Sequence, residues 1–249
     1  MFLKINTFMH LTRNYLKEDY SSDAILVLEA ASTHHLVKVL RKKEGHEIEI
    51  FDGKGHSCVA KIVSINSGKT TVQVIGKKSF SPKEGISIFL GQALIKPDAL
   101  GFSIQKATEL GVDSISPLLT DRSVAKIKKE SFRKKKEKWL SISQGACEQC
   151  GQNWLPEINN PSLLRDWSSS IEAEKKIVLY PGASKKISEI RFTNSVALAI
   201  GPEGDFTSEE IEDLVKEGFT PVSMGTRILR AETAAISALS TIRTLAGDF

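Results

Sequence analysis

Two different spacings of apolar residues divide the chain. Up to about residue 76 the apolar positions fall in short runs with a period near two. Ile25-Leu26-Val27-Leu28 is a brief apolar strand, and His46 to Phe51 alternates polar and apolar side chains. Cys58 to Val63 and Thr70 to Ile75 repeat the pattern, with Asp52-Gly53-Lys54-Gly55 and Asn66-Ser67-Gly68 as turns between strands. Hairpins at such regular spacing predict a small β-barrel. One helix interrupts them. Ser32 or Thr33 can cap it, and Leu36, Val37, Val39 and Leu40 form its apolar side. Arg41, Lys42 and Lys43 would then fall in its last turn, where cations suit the helix dipole.

From Ile86 onward, strands alternate with helices. The strands are Ile86 to Leu90, ending at Gly91; Ser114 to Leu119; Lys176 to Tyr180; Val196 to Ile200; and Pro221 to Met224. The predicted helices run from Pro97 to Leu110, Ser131 to about Cys150, Ser162 to Ser170, and Thr233 to Ala246, with a further start signal at Thr207-Ser208-Glu209-Glu210. Pro97 suits a first helical turn and Gly111 stands just past an end. This order predicts a parallel sheet covered on both faces. The fold class is therefore α/β, with a β domain at residues 1–76, a polar linker at 77–85 and a second domain at 86–249.

The rest of the second domain is organised around Val196 to Ala235. An apolar strand breaks into Gly201-Pro202-Glu203-Gly204-Asp205-Phe206, and Pro221 to Met224 breaks at Gly225 into Thr226-Arg227-Ile228-Leu229-Arg230. Two strand ends that dissolve into glycine turns are what an open α/β sheet uses to build a ligand crevice. The spacing is not that of a dinucleotide fingerprint, and no Lys-Ser/Thr follows, so a phosphate loop is not indicated.

Composition adds limits. The chain has 249 residues, 41% of them hydrophobic and 26% charged, as in ordinary globular proteins. No apolar run approaches a membrane span, and the first residues are too polar for a secretory signal, so a cytoplasmic location is expected. Residues 1–80 hold twelve Lys and Arg against eight Asp and Glu, which is the whole surplus behind the net charge of +4. A basic first domain points to an anionic partner such as nucleic acid. Lys126 to Lys138 adds eight basic residues to two acidic ones, either a solvated helix face or a phosphate contact. Cys147 and Cys150 form a lone C-x-x-C with no second pair, which reads as one helical turn and not as a metal or redox site. All five histidines lie at or before position 56, so the second domain has none to serve as a base.

Four segments together carry a resemblance. They are the helix His35 to Arg41, Gln105-Lys106-Ala107-Thr108-Glu109-Leu110-Gly111-Val112, Ala146 to Asn153, and Gly201-Pro202-Glu203-Gly204 with Ile228-Leu229-Arg230-Ala231-Glu232-Thr233-Ala234. In this order they resemble the ribosomal RNA small subunit methyltransferase E family of the SPOUT superfamily. The resemblance implies an N-terminal domain similar to the PUA RNA-binding fold and a C-terminal SPOUT domain with a trefoil knot. It also implies methylation of N3 of a uridine in 16S ribosomal RNA near the decoding centre, with S-adenosyl-L-methionine as cofactor, no metal, and a homodimer. The partner would be 16S ribosomal RNA or the small ribosomal subunit. The chain departs from the family pattern at Asp205, where a second glycine is usual, at Gln152, where an arginine is usual, and at Ala99, where a basic residue is common.

With no histidine in the second domain, catalysis there must rely on carboxylates, arginines, backbone groups or solvent: Arg230 is expected to steady the anionic uracil or a phosphate, and Glu232 to orient Arg230 or the substrate. Cofactor contacts are expected from Leu179, Tyr180, Pro181 and Gly182; from Ile200, Gly201, Pro202, Glu203 and Gly204; and from Met224, Gly225, Ile228, Leu229 and Thr233. RNA contacts are expected from His35, Arg41, Lys42, Lys96 and Arg122. Two other readings stand beside this one: a ribose 2′-O-methyltransferase of the same superfamily, and a non-catalytic RNA-binding assembly factor, kept open by Asp205 and Gln152.

Overall fold

The computed structural model describes residues 11–17, 20–66, 68–123 and 129–249. Met1 to His10, Ser67 of the second predicted turn, and Lys126 to Lys128 of the basic run lie outside the described residues. The chain divides into two compact units. One runs to Pro82 and takes in Gly151–Trp154; the other comprises Lys83–Cys150 and Leu155–Phe249.

The first unit is built on strands β1 (Arg13–Tyr15), β2 (Ile25–Val27), β3 (Glu47–Phe51), β4 (His56–Asn66), β5 (Lys69–Val74) and β6 (Ser79–Phe80). Their order is β1-β3-β4-β5-β2, with β6 also paired to β4. The β3–β4 and β4–β5 pairs are antiparallel, as the hairpin turns require. Alternate residues Ile48 and Ile50, Cys58, Ala60 and Ile62, and Val72 and Val74 form one core with Leu28 and Leu36. Asp52 closes the first turn: its carboxylate accepts the backbone N–H groups of Lys54 (2.7 Å) and His56 (3.1 Å) and contacts the His56 ring (2.9 Å).

Two expectations fail in this unit. Helix α1 spans only Ala30–His34, and His35–Val39 continues it as a wider π-helical turn. Thr33 is not its cap. That side chain is buried, and its hydroxyl accepts the N–H of Thr70 at 3.0 Å, which ties the helix to β5. Of the expected apolar side, Leu36 alone is buried, while Val39 is 57% exposed. Arg41 has φ of +53° and so lies outside the helix, which removes the dipole explanation for Arg41, Lys42 and Lys43. The expected linker is also part strand. Ser79–Phe80 pairs with β4, and the Phe80 ring packs against His56 and Trp154 at centroid distances of 5.0 and 6.1 Å.

The second unit is a sheet in the order β10-β8-β7-β12-β11-β13, with every pair parallel. The strands are β7 (Ser87–Ala93), β8 (Ser114–Leu119), β9 (Glu157–Ile158, also on β8), β10 (Ser162–Leu163), β11 (Lys175–Leu179), β12 (Ser195–Ile200) and β13 (Thr220–Val222). The helices are α2 (Pro97–Glu109), α3 (Phe132–Cys150), α4 (Leu164–Ser170), α5 (Ser208–Lys216) and α6 (Ala231–Ala246). Strand β12 shows why its sequence is continuously apolar. Val196, Leu198 and Ile200 face a core shared with α2 and α6, while Ala197 and Ala199 face a second core holding Trp167, Leu214 and Phe219. Both faces are covered, so neither set of side chains meets water.

Tertiary packing overrides local reading at two places here. Gly91 does not end its strand. A Cβ there would lie 2.6 Å from the Trp167 ring, so β7 runs through a glycine because the indole occupies that space. Gly91→Ala would overpack this contact at a cost of about 1–3 kcal/mol. Ser162–Leu163, expected to start a helix, instead pairs with β8. Helix α6 begins at Ala231 and buries Ala234, Ala235, Ala238, Leu239 and Ile242 against the first core. Near its end the buried Arg243 donates to the carbonyls of Ile86, Leu110 and Gly111 and to the Asp248 carboxylate. As expected, Cys147 and Cys150 sit one turn apart on α3, the former buried and the latter exposed.

Candidate functional site

Because the strands are parallel, their carboxyl ends share one edge of the sheet. Segments leaving β7, β11, β12 and β13 at that edge enclose a pocket of about 960 Å³. It lies where the chain leaves β7 toward β8 but leaves β12 on the other side, the switch point at which open α/β sheets bind ligands. Lys96, Asp98 and Ala99 come from the start of α2, and Leu179, Tyr180 and Pro181 from the end of β11. Ile200 ends β12 and Gly201 to Asp205 follow it; Met224, Gly225 and Arg227 to Leu229 follow β13; Arg230, Ala231, Glu232 and Ala234 open α6.

The β12 turn is held from several sides. Thr207 caps α5 with a reciprocal pair: its hydroxyl accepts the Glu210 N–H at 3.1 Å, and the Glu210 carboxylate accepts the Thr207 N–H at 2.8 Å. The other oxygen of Glu210 accepts the N–H of Asp121 at 2.9 Å. Arg122 donates to the Gly204 carbonyl at 3.0 Å and to that of Phe206 at 3.5 Å. Across the switch point, Glu203 accepts the backbone N–H of Lys96 at 3.0 Å, which fastens the turn to the entry of α2. Asp205 stands at φ of +59° and accepts the N–H of Phe206 at 2.8 Å through Oδ1. Asp tolerates such a backbone better than most residues, so the missing second glycine leaves the turn intact. Burial pushes the Asp205 carboxyl above the usual range, and Glu210 adds to this; the Phe206 N–H and the Arg122 charge oppose it.

The β13 segment is different. From Met224 to Leu229 no hydrogen bond is made among the described residues, and Ile228 is 87% exposed. Gly225 takes φ of +102°, a backbone that L side chains rarely adopt.

All the residues expected on the cofactor line this pocket except Gly182 and Thr233. Thr233 points to solvent on α6. Gly182 lies beside the pocket, where a Cβ would come 2.8 Å from the Tyr180 ring; its smallness leaves that ring its place. Arg230 and Glu232 both line the pocket, the first as the residue preceding α6 and the second in its first turn. No hydrogen bond or ion pair joins their side chains among the described residues, so of the two expected partners of Glu232, Arg230 or the substrate, the first is not engaged in this structure. Of the residues expected on RNA, Lys96 is on the pocket rim and Arg122 is engaged with the β12 turn. His35 and Arg41 are exposed and Lys42 half-buried, all at the end of the first unit's helix. Sequence reasoning missed Asp98, Ala99, Asp205, Arg227, Ala231 and Ala234 as lining residues, having noted Ala99 and Asp205 only as departures from the family pattern. A signal existed for Asp98, which follows Lys96-Pro97 just past a strand end. Among the described residues no cluster of His, Cys, Asp and Glu could hold a metal ion, and no helix is long and apolar enough to cross a membrane.

Comparison with known proteins agrees with this architecture. Residues 82–243 match the family described as an RNA methyltransferase domain, and residues 28–79 match an RNA methyltransferase PUA domain. The Ribosomal RNA small subunit methyltransferase E of Buchnera aphidicola subsp. Schizaphis graminum is 37% identical over 240 residues, covering 96% of this chain and 98% of its own. The protein of that name from Bacillus subtilis is 29% identical over 94% of both chains. A Legionella pneumophila protein solved in complex with the bound cofactor SAM superposes with a TM-score of 0.90 at 36% identity, over 94% of this chain and 97% of that one. The Neisseria gonorrhoeae Ribosomal RNA small subunit methyltransferase E bound to S-adenosyl methionine gives 0.87 at 30% identity, over 96% and 100%. With an RNA methyltransferase domain over most of its length, a PUA domain before it and near full-length relatives of one name, the chain belongs to the ribosomal RNA small subunit methyltransferase E family.

Proposed function

We propose that this protein transfers a methyl group from S-adenosyl-L-methionine to N3 of a uridine in 16S ribosomal RNA near the decoding centre. The observation that carries the reading is the pocket at the sheet's switch point, in a chain two of whose solved relatives are complexes with that cofactor. The residues fit the group. Leu179, Ile200, Met224 and Leu229 offer an apolar slot for an adenine, and the backbone of Gly201 to Gly204 and of Gly225 lies open beside it. Asp98, Glu203, Asp205 and Glu232 supply negative charge suited to a cationic ligand. When bound, the cofactor supplies an electrophilic methyl on a sulfonium, which requires no metal.

The chain's own residues then bind and orient. Arg230, at the pocket with no partner among the described residues, steadies charge on the uracil. Fixing the acceptor nitrogen against the methyl contributes up to about 7–11 kcal/mol where alignment is good. The first unit, with His35, Arg41 and Lys42 at its helix end, holds RNA phosphates and gives register. In the second unit Lys96, at the pocket rim, offers a further phosphate contact. We assign RNA binding to residues 1–76 and transfer to 86–249, with a closed PUA-like barrel in the first and a trefoil knot around the β12 and β13 turns in the second. The working form is a homodimer in the cytoplasm, where the small ribosomal subunit is met.

The test is transfer from labelled S-adenosylmethionine to unmodified small subunits, followed by digestion to nucleosides and mass spectrometry. The expected product is 3-methyluridine. Label on a ribose would move the chain to the 2′-O branch. No label despite tight cofactor binding would make it an assembly factor.

A further inference from the structure

The first unit carries an aromatic cluster away from the phosphate contacts of its helix end. The Phe80 ring packs against His56 at 5.0 Å and Trp154 at 6.1 Å between centroids, inclined by 50° and 79°. Gly55 closes the cluster from one side. It stands at φ of +93°, where a Cβ would come 2.7 Å from the Trp154 ring and 2.8 Å from that of Phe80. Phe80 is nevertheless 57% exposed, so a large part of a packed ring still meets water.

The backbone holds this ring in place. Ser79 and Phe80 pair with Ser57 and His56 of β4. The Ser81 N–H donates to the Gly55 carbonyl at 2.8 Å, and the Trp154 indole N–H to the Ser81 carbonyl at 2.9 Å. The Gly55 N–H donates to the Asn153 carbonyl at 3.0 Å. A ring fixed by its neighbours loses little freedom when something stacks on it. Cations flank it along the chain. Lys54, paired through its backbone with Trp154, and Lys77, just before β6, are exposed and form no ion pair among the described residues. The nearby carboxylate, Asp52, has a side chain only 10% exposed and is engaged with the Lys54 and His56 N–H groups and the His56 ring.

We propose that Phe80 is a stacking platform for an unpaired base of the RNA substrate, with Lys54 and Lys77 on the flanking phosphates. The inference rests on the reading of the first unit as RNA-binding. Every base has a flat face that an aromatic ring can cover, so the contact sets no base preference. Inside a duplex that face is already stacked, so the site takes a looped or single strand. A lone exposed ring is ordinary on a protein surface. A held ring between lysines that lack partners, with the nearest carboxylate turned to its own chain, suits a polyanion that carries aromatic faces.

The full chain and a short oligouridylate test this, with a duplex RNA as comparison. Trp139 and Trp167 are buried at 4% and 6% exposure, so quenching of the indole fluorescence by the oligonucleotide reports Trp154. Phe80→Leu keeps an apolar contact with His56 and Trp154, and Phe80→Tyr keeps the ring. Oligouridylate should quench the parent, and should bind Phe80→Tyr within about twofold of it but Phe80→Leu about five- to hundredfold more weakly. Affinities of Phe80→Leu for duplex RNA and for S-adenosylmethionine should stay at the parent's values. On unmodified small subunits its KM should rise while kcat holds, since the ring binds ground state and transition state alike. Equal affinity of the parent and Phe80→Leu for oligouridylate would overturn the proposal. So would an equal loss on single strand and duplex, which a merely structural ring would give. Quenching by small-subunit protein freed of RNA, but not by oligouridylate, would assign the face to a protein partner and overturn it too. A parent that binds neither RNA would overturn the RNA reading of the first unit itself, and is distinguished because the parent, not the variant, fails.

Discussion

The turn after β12 and the segment after β13 enclose the same pocket, yet they are held in opposite ways. Gly201 to Phe206 is fastened by Arg122, Glu203, Asp205 and the Thr207–Glu210 cap. Met224 to Leu229 makes no hydrogen bond among the described residues and exposes Ile228. The first wall is ordered by the chain itself, so a ligand finds its backbone groups in place. The second is held only by the packing of Met224 and Leu229 against the first core, so any adjustment it makes to a ligand breaks no hydrogen bond. Division of a site into a prepared wall and an adaptable one lets one wall aim the chemistry while the other admits and releases.

The sharpest way to break the comparison lies where the adaptable wall meets α6. Arg230→Ala should lower the single-turnover rate by about 10²–10³-fold, the range for loss of one charge-stabilising donor. Full turnover with unchanged RNA affinity would return Arg230 to an ordinary surface cation.

Next in size is Gly225→Ala. Its φ of +102° makes an alanine strained by about 1–3 kcal/mol, while no atom stands within 4 Å of the new Cβ. An unfastened segment relieves such strain by moving. Cofactor affinity should therefore fall up to about tenfold while the melting temperature shifts by no more than about 2 °C. A large melting shift would show that this wall is as fixed as the other.

On the prepared wall the expectation is reversed. Thr207→Ala removes the cap and should cost about 1 kcal/mol, or about 2–4 °C in melting temperature. Glu210 would keep its bond to Asp121, so the turn should stay folded.

The smallest effect concerns pH. Burial raises the folded-state proton affinity of Asp205 above its unfolded value, so the ionised form opposes folding at neutral pH and that opposition fades as pH falls through the folded value. Asp205→Asn should be slightly more stable than the parent at pH 7, and acid titration of the two melting curves should bring them together. Asp52 has the opposite sign. Burial pushes it up, but the N–H groups of Lys54 and His56 and the His56 ring hold it below the usual range, so its contribution is present above the ordinary carboxylate range and lost as pH falls through the lowered value.

What could be read from the sequence was what neighbours along the chain decide. The Thr207–Glu210 cap, Pro97 at the start of α2 and the continuous apolar run of β12 depend on residues a few positions apart. The pocket walls followed, because each is a strand end with glycine. What escaped depends on distant contacts. Gly91 reads as a strand end until Trp167 fills the space above it. Thr33 reads as a cap until Thr70 claims its hydroxyl. Ser162–Leu163 reads as a helix start until β8 offers an edge. Asp205 was legible as an oddity of the family pattern, but its half-buried place in the pocket needed the fold.

The strand order of the second sheet bears on how the chain matures during synthesis. Strand β12 fills the place between β7 and β11, yet its residues begin only at Ser195, more than a hundred positions after β7 begins. Until that stretch leaves the ribosomal tunnel, β7 carries an open, apolar edge in the middle of the future sheet. A nascent chain in that state is exposed to pairing with other chains. The domain should therefore be most dependent on chaperones late in translation, and truncations between β11 and β12 should aggregate more readily than those that include α6.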